Sequence, residues 1–233
     1  MREKGFGDDK LVRTVLSEQI KEQLIDDILH KKYKPGDRLV ESALANELNV
    51  SQAPVREALK TLIAMGFLET EPYKGITVRS FSSQDLWEII TVRASLESLS
   101  ARLLAERITP DQIEHLEELL KEMIKAGKKG DIPKRTKLNI EFHEYLIRAS
   151  GHKLILQLFQ NMRFGSWSIM TGSFTQMDPV YMATRHRKLI EAIKSRDPDK
   201  AAKAMREHIE SVGEPICEML AEEKEPEIKN AVS

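Results

Sequence analysis

Apolar side chains recur at Val12, Val15, Leu16, Ile20, Leu24, Ile25, Ile28 and Leu29, three and four positions apart, which predicts an amphipathic helix over 11–30. Two shorter stripes follow, Leu44 with Leu48 and then Val55, Leu59, Leu62 and Ile63, separated by a turn at Asn49-Val50. Ser51 stands where an N-cap belongs, and Pro54 falls in the first turn of the later helix, whose backbone donors lack helical partners anyway. Gly66 ends that helix. The period then shortens: 67–71 and 76–79 carry Thr and Val around Pro72-Tyr73-Lys74-Gly75, predicting a β-hairpin with Lys74-Gly75 at its tip.

After a serine-rich linker at 80–84, in which Ser82 or Ser83 can cap the next element, strand-like alternation stops. Six helical patterns cover about 84–107, 111–125, 132–149, 153–168, 179–195 and 198–221, most of them opened by a cap or proline signal. Short connections and one apolar stripe per helix favour an antiparallel bundle. The expected organisation is a disordered arm at 1–10, a winged helix-turn-helix at 11–79, the linker at 80–84, an all-helical domain at 85–221 and a disordered tail at 222–233. The fold class is therefore mostly α, a winged head followed by a bundle of about six helices. The stretch 165–178 mixes small and aromatic residues and reads either as a long loop or as a helix continued through Gly172.

A helix-turn-helix presents its second helix to the major groove, and the residue types here suit that task. Gln52 near the helix start matches an adenine edge, Arg56 one turn on reaches a guanine or a phosphate, and Ser42 and Ser51 donate to phosphates. Lys74 at the hairpin tip, beside Gly75, suits the backbone or the adjacent minor groove. Taken singly, each is more readily read as a solvated surface residue; the DNA reading rests on the set.

Arg38-Leu39, the helix at 41–48, Ser51-Gln52-Ala53-Pro54-Val55-Arg56-Glu57-Ala58-Leu59, Gly66-Phe67-Leu68 and the Lys74-Gly75 wing together resemble the DNA-binding domain of the GntR family of bacterial transcription regulators. The resemblance implies DNA contacts from Arg38, Ser42, Ser51, Gln52, Ala53, Arg56, Lys74 and Gly75. The commonest family form at Gln52-Ala53 is Arg-Thr; the departure implies an altered operator half-site.

Composition narrows the picture without deciding it. The 233 residues, 41% hydrophobic and 31% charged with net charge −1, fit one large or two modest globular domains. There is no basic excess, so the DNA reading rests on local arrangement. A lone cysteine, Cys217, permits no internal disulfide, and the chain shows neither a signal-peptide core nor a membrane-length apolar run, so a cytoplasmic location is expected.

In the helical part Asn139 and His143 share a helix face at i,i+4, while His186 and His208 lie on two further helices. Three imidazoles and an oxygen suit zinc or nickel, although separated histidines are commonly satisfied polar residues. Val92-Arg93, Glu97, Phe142-His143, Ser150-Gly151, His186 and His208 are similar to the FadR subfamily with an FCD domain, in which an Asp and three histidines often surround a metal. The resemblance implies a metal at Asn139, His143, His186 and His208, with Asn in place of the usual Asp. It also implies a small carboxylate effector, with Arg93 as its cation or else as a partner of Glu97 at i,i+4. Without metal, the imidazoles would hold an anion directly.

The expected protein is thus a homodimer that binds a pseudopalindromic operator under the control of an organic acid. Two other readings stay open: a three-histidine metalloenzyme, for which no general base stands out, and a bundle serving dimerisation alone. His30, His115 and His152 read as surface residues.

Overall fold

The computed structural model describes residues 6–161 and 177–222. They form two compact units that divide after Ser80.

In the first unit, α1 (Phe6–Leu29), β1 (Arg38–Leu39), α2 (Glu41–Glu47), α3 (Gln52–Met65), β2 (Leu68–Glu71) and β3 (Gly75–Val78) follow in order. The helix α1 starts five residues before the expected position; no proline interrupts the segment, and a formed helix extends at little cost per residue. Among its described side chains the buried face comprises Ile20, Leu24, Ile25, Ile28 and Leu29, whereas Val15 is exposed. That face packs on α3, whose Val55, Ala58, Leu59 and Leu62 are buried. Asn49 turns the chain between α2 and α3 in the left-handed region, at φ 53°. Ser51 occupies the N-cap position of α3 in an extended conformation, yet its side chain makes no cap hydrogen bond, contrary to the expectation. Gly66 closes α3 at φ 79°, a conformation that glycine adopts without the cost of a Cβ.

The hairpin is present, with Leu68 opposite Val78 and Glu71 opposite Gly75. A short strand absent from the sequence reading joins it: β1 pairs antiparallel with β3, Arg38 opposite Thr77, giving the order β1-β3-β2. Two residues are too few to show a period. At the hairpin tip Tyr73 is fully exposed and held at φ 67°.

The second unit contains α4 (Ser83–Ala105), α5 (Pro110–Lys128), α6 (Ile132–Ala149), α7 (Lys153–Asn161), α8 (Pro179–Thr184), α9 (His186–Lys194) and α10 (Pro198–Glu222). Caps set many of the starts. Ser82 and Asp85 form a reciprocal capping box on α4, Thr109 and Gln112 another on α5, and Asp131 and Asp178 accept from the first turns of α6 and α8. The expected helix over 179–195 is divided at Arg185 into α8 and α9. Of the expected helix over 153–168, α7 covers 153–161; the rest, and the ambiguous stretch as far as 176, lie outside the described residues, as do the final residues of the expected tail.

The core of this unit joins Leu86, Ile90 and Leu104 of α4 with Leu116 and Met123 of α5, Phe142 and Leu146 of α6, and Met205 and Ile209 of α10. Helices α4 and α10 run against each other most extensively, and Gly213 permits the approach: a Cβ there would meet Ile90 Cδ1 at 2.3 Å. Among the described residues no helix is long and apolar enough to cross a membrane.

Candidate functional site

The head presents two groups of the expected residues. Ser42, Ser51, Gln52 and Arg56 are exposed at the first turns of α2 and α3, and Ala53 is half-buried beside them. Arg56 forks onto Glu41, with Nε 3.0 and 3.1 Å from the two carboxylate oxygens and Nη2 2.7 Å from one of them. This bidentate pair ties the starts of α2 and α3 together. The second group forms at the wing, where β1 pairing brings the Arg38 guanidinium over Gly75, about 3.7 Å from where a Cβ would sit. Lys74 pairs with Glu71 at 2.7 Å, an exposed contact that salt screens. Tyr73, an aromatic ring at the wing tip, was not singled out from the sequence; the Pro72–Gly75 turn was its only signal.

In the helical unit the three histidines do converge. The ligand nitrogens of His143 on α6, His186 on α9 and His208 on α10 lie within 4.8 Å of one another. Their ring centroids are 4.4 to 5.4 Å apart, and Phe142 meets His186 edge-on at 4.8 Å. His143 and His186 are each only 1% exposed.

Hydrogen bonds fix two of the three tautomers. His143 Nδ1 lies 2.5 Å from Glu97 Oε2, and His186 Nδ1 lies 3.0 Å from the Ala183 carbonyl oxygen. Both oxygens can only accept, so each Nδ1 carries the proton and each Nε2 is left with a bare lone pair. His186 Nε2 is buried and has no hydrogen-bond partner among the described residues. An orphaned imidazole nitrogen among two other imidazoles is the donor set that zinc, nickel and related ions select, and a carboxylate behind one ligand is their usual support. The residues present therefore fit a divalent metal.

Glu97, fully buried, is the hub of this support. It also pairs with Arg93, itself 6% exposed, which is the i,i+4 arrangement weighed for Arg93 from the sequence. Burial pushes the Glu97 carboxyl up, but Arg93 and His143 outweigh it and bring it down to about 2. Burial lowers all three imidazoles, and for His186 and His208 the neighbouring histidines add to the drop. Asn139 is half-buried one turn before His143.

These shifts predict acid sensitivity in two windows for the metal-free protein. The unfolded chain protonates its histidines first, so stability falls as pH drops below about 6.5, and the Glu97 contribution is lost between about 4.5 and about 2. Urea midpoints taken from pH 8 down to pH 4 should decline on the acid side; a flat profile contradicts the buried neutral imidazoles.

Outside the cluster, His30 is exposed and His115 and His152 are half-exposed. Cys217 is half-buried with its thiol pushed up by burial and then by Glu214 and Glu218, the setting of an unreactive thiol. Arg185 seams the break between α8 and α9 to α10, donating to the His208 carbonyl and to Ser211 Oγ at 2.6 Å. It lies with His208, Lys188 and Tyr181 along a cleft of about 400 Å³.

A winged helix-turn-helix followed by a helical domain with a buried histidine cluster defines a two-module regulator. Residues 16–78 match the profile of the bacterial regulatory proteins of the gntR family, and residues 88–211 match the FCD domain. The chain belongs to the GntR family of transcription regulators, in the FadR-like arrangement with a C-terminal FCD domain. Members of this family bind DNA, FCD domains bind small-molecule effectors, and some bind metal; they are regulators and not enzymes, which removes the metalloenzyme reading.

The chain is 27% identical over 203 residues to the "Probable D-xylose utilization operon transcriptional repressor" of Paenarthrobacter nicotinovorans, covering 86% of this chain and 88% of that one. It is 27% identical over 208 residues to the HTH-type transcriptional repressor RspR of Escherichia coli, covering 89% and 91%. The solved structure of E. coli McbR/YncC shares the fold, with TM-score 0.66 and 24% identity over 89% of this chain and 98% of that one.

Proposed function

We propose that this protein is a cytoplasmic, homodimeric regulator whose winged heads bind a pseudopalindromic operator, and whose helical domain holds a small carboxylate effector at a divalent metal, zinc or nickel. The observation that carries the effector half is the pair of fixed tautomers, which aims Nε2 of His143 and of His186 as bare donors at the space shared with His208. A bound metal would offer an open coordination position to a carboxylate. The chain supplies everything else. His143, His186, His208 and Asn139 form the ligand set; Glu97 holds the His143 ring in place, and Arg93 holds Glu97. Asn139 brings a neutral amide oxygen, so the ion keeps more of its positive charge for an anion than an Asp in that position would leave it.

Exposed Val92 and Leu99, which share a face of α4, and Leu154 and Leu158, which share a face of the neighbouring α7, support the homodimer, since exposed large apolar residues favour association. Two heads related by a two-fold axis require two half-sites separated by about one helical turn of DNA or a multiple of it. The effector controls affinity through its unequal binding to two arrangements of the heads.

For DNA, the reading predicts contacts from the exposed starts of α2 and α3 and from the Arg38, Lys74 and Gly75 wing. Genomic fragments captured by the full-length protein should share one palindrome. On that palindrome Arg56→Ala should weaken binding by about 1–3 kcal/mol in a titration at fixed salt. Equal affinity for the variant would remove Arg56 from the reading head, and a lack of any enriched palindrome would count against the operator reading as a whole.

A further inference from the structure

Among the described residues the helical domain buries two arginines, and a carboxylate answers the charge of one. Arg93 faces Glu97. Arg135, on α6 and 4% exposed, donates from Nη2 to the Thr136 hydroxyl at 3.1 Å, while its buried Nε–H has no acceptor among the described residues. Among the described residues no carboxylate pairs with it. Burying a guanidinium without a counter-charge is costly, and one hydroxyl returns little of that cost. Such a group persists where an anion arrives to complete it.

Its position says where the anion would sit. Arg135, Asn139 and His143 are spaced i, i+4 and i+8, so they line one face of α6 over two turns. Arg135 therefore lies on the Asn139 side of His143, two turns before it on the same face of α6. Arg93 is already committed to Glu97, and Arg185 to the His208 carbonyl and Ser211.

We propose that Arg135, rather than Arg93, is the cation that anchors the effector, and that the effector is therefore a small molecule bearing an oxyanion, bound bidentately by Arg135 next to the histidine cluster. This rests on the effector reading above and narrows it. A planar guanidinium recognises carboxylate and phosphate alike through two parallel N–H donors, and Lys cannot reproduce that fork. Asn139 and Arg135 add no negative charge to this face of α6, so beside a bound metal it favours an anion over an uncharged molecule.

The test uses the full-length protein, stripped of metal and then reloaded with zinc, in calorimetric and thermal-shift titrations. The probes are acetate, succinate, citrate and inorganic phosphate, with succinamide as the uncharged control. Wild type should bind at least one oxyanion and ignore succinamide. Arg135→Gln, which keeps the bulk and polarity but removes the charge, should bind that oxyanion at least tenfold more weakly, Arg135→Lys should fall between, and Arg93→Gln bound to zinc should lose less than Arg135→Gln. The zinc-induced shift itself should survive in Arg135→Gln, and its metal-free stability should equal or exceed that of wild type, because an unanswered buried charge has been removed. A response to phosphate without one to the carboxylates would support the anchor and assign the oxyanion to phosphate. If Arg135→Gln binds the oxyanion as wild type does, Arg135 is not the anchor although the effector reading stands. If wild type shifts with zinc but with no oxyanion, the proposal fails together with the anionic effector, and the metal site alone remains.

Discussion

Glu97→Gln should lower the stability of the metal-free protein by about 3–5 kcal/mol, seen as a lower urea midpoint with an unchanged slope. The side chain is fully buried, and two partners depend on it: Arg93 and the Nδ1–H of His143. Glutamine keeps the volume but has one accepting oxygen and no charge, so the buried guanidinium faces a neutral amide. Breaking a buried pair from one side costs far more than the pair contributes net. The same change should cost about 10–100-fold in metal affinity, because the carboxylate behind His143 fixes its tautomer and raises its basicity. Zinc titrations on folded protein read this second effect separately. An unchanged midpoint would mean that Arg93 is stabilised without Glu97.

The second large effect concerns the ligands. Wild type, cleared of metal by chelation and then given zinc or nickel at about 100 times Kd, should gain about 2.7 kcal/mol and a matching rise in Tm. His186→Ala should abolish that gain. His186 is the apt position because its Nε2 has no other partner among the described residues, whereas its Nδ1 bond to Ala183 is local. The metal-free variant loses some stability through the space left beside Phe142, so the quantity to compare is the increment on adding metal. The exposed His30, replaced in the same way, serves as the control. An equal increment in wild type and His186→Ala would place the metal elsewhere and leave the three imidazoles as a packed polar core.

What the sequence disclosed follows from how local each signal is. The span of α6 matched residue for residue because Asp131, a proline in the first turn and Gly151 bracket a clear apolar period. The wing and the helix-turn-helix were legible for the same reason. Two features were not. The break at Arg185 carries neither glycine nor proline, and it is secured by bonds to α10, more than twenty residues further on. The strand β1 exists because β3 lies beside it. In the site, the histidines could be found because imidazole is rare in this chain, but the Glu97–His143 bond spans 46 positions and no period encodes it. Arg135 was overlooked because an arginine on a helix ordinarily reads as solvated. Its spacing of four from Asn139 and eight from His143 was the available clue.

The geometry of α4 has a mechanical consequence. Its capping box at Ser82 and Asp85 begins where the chain leaves the first unit, and Glu97 lies on the same unbroken helix, about 21 Å along the axis. Among the described elements α4 packs most extensively on α10. Were a ligand at the cluster to tilt this helix about Glu97 by roughly 5°, Ser82 would move by about 2 Å. One continuous helix thus joins the linker to Glu97, the residue that touches the histidine cluster through His143, with no loop between them.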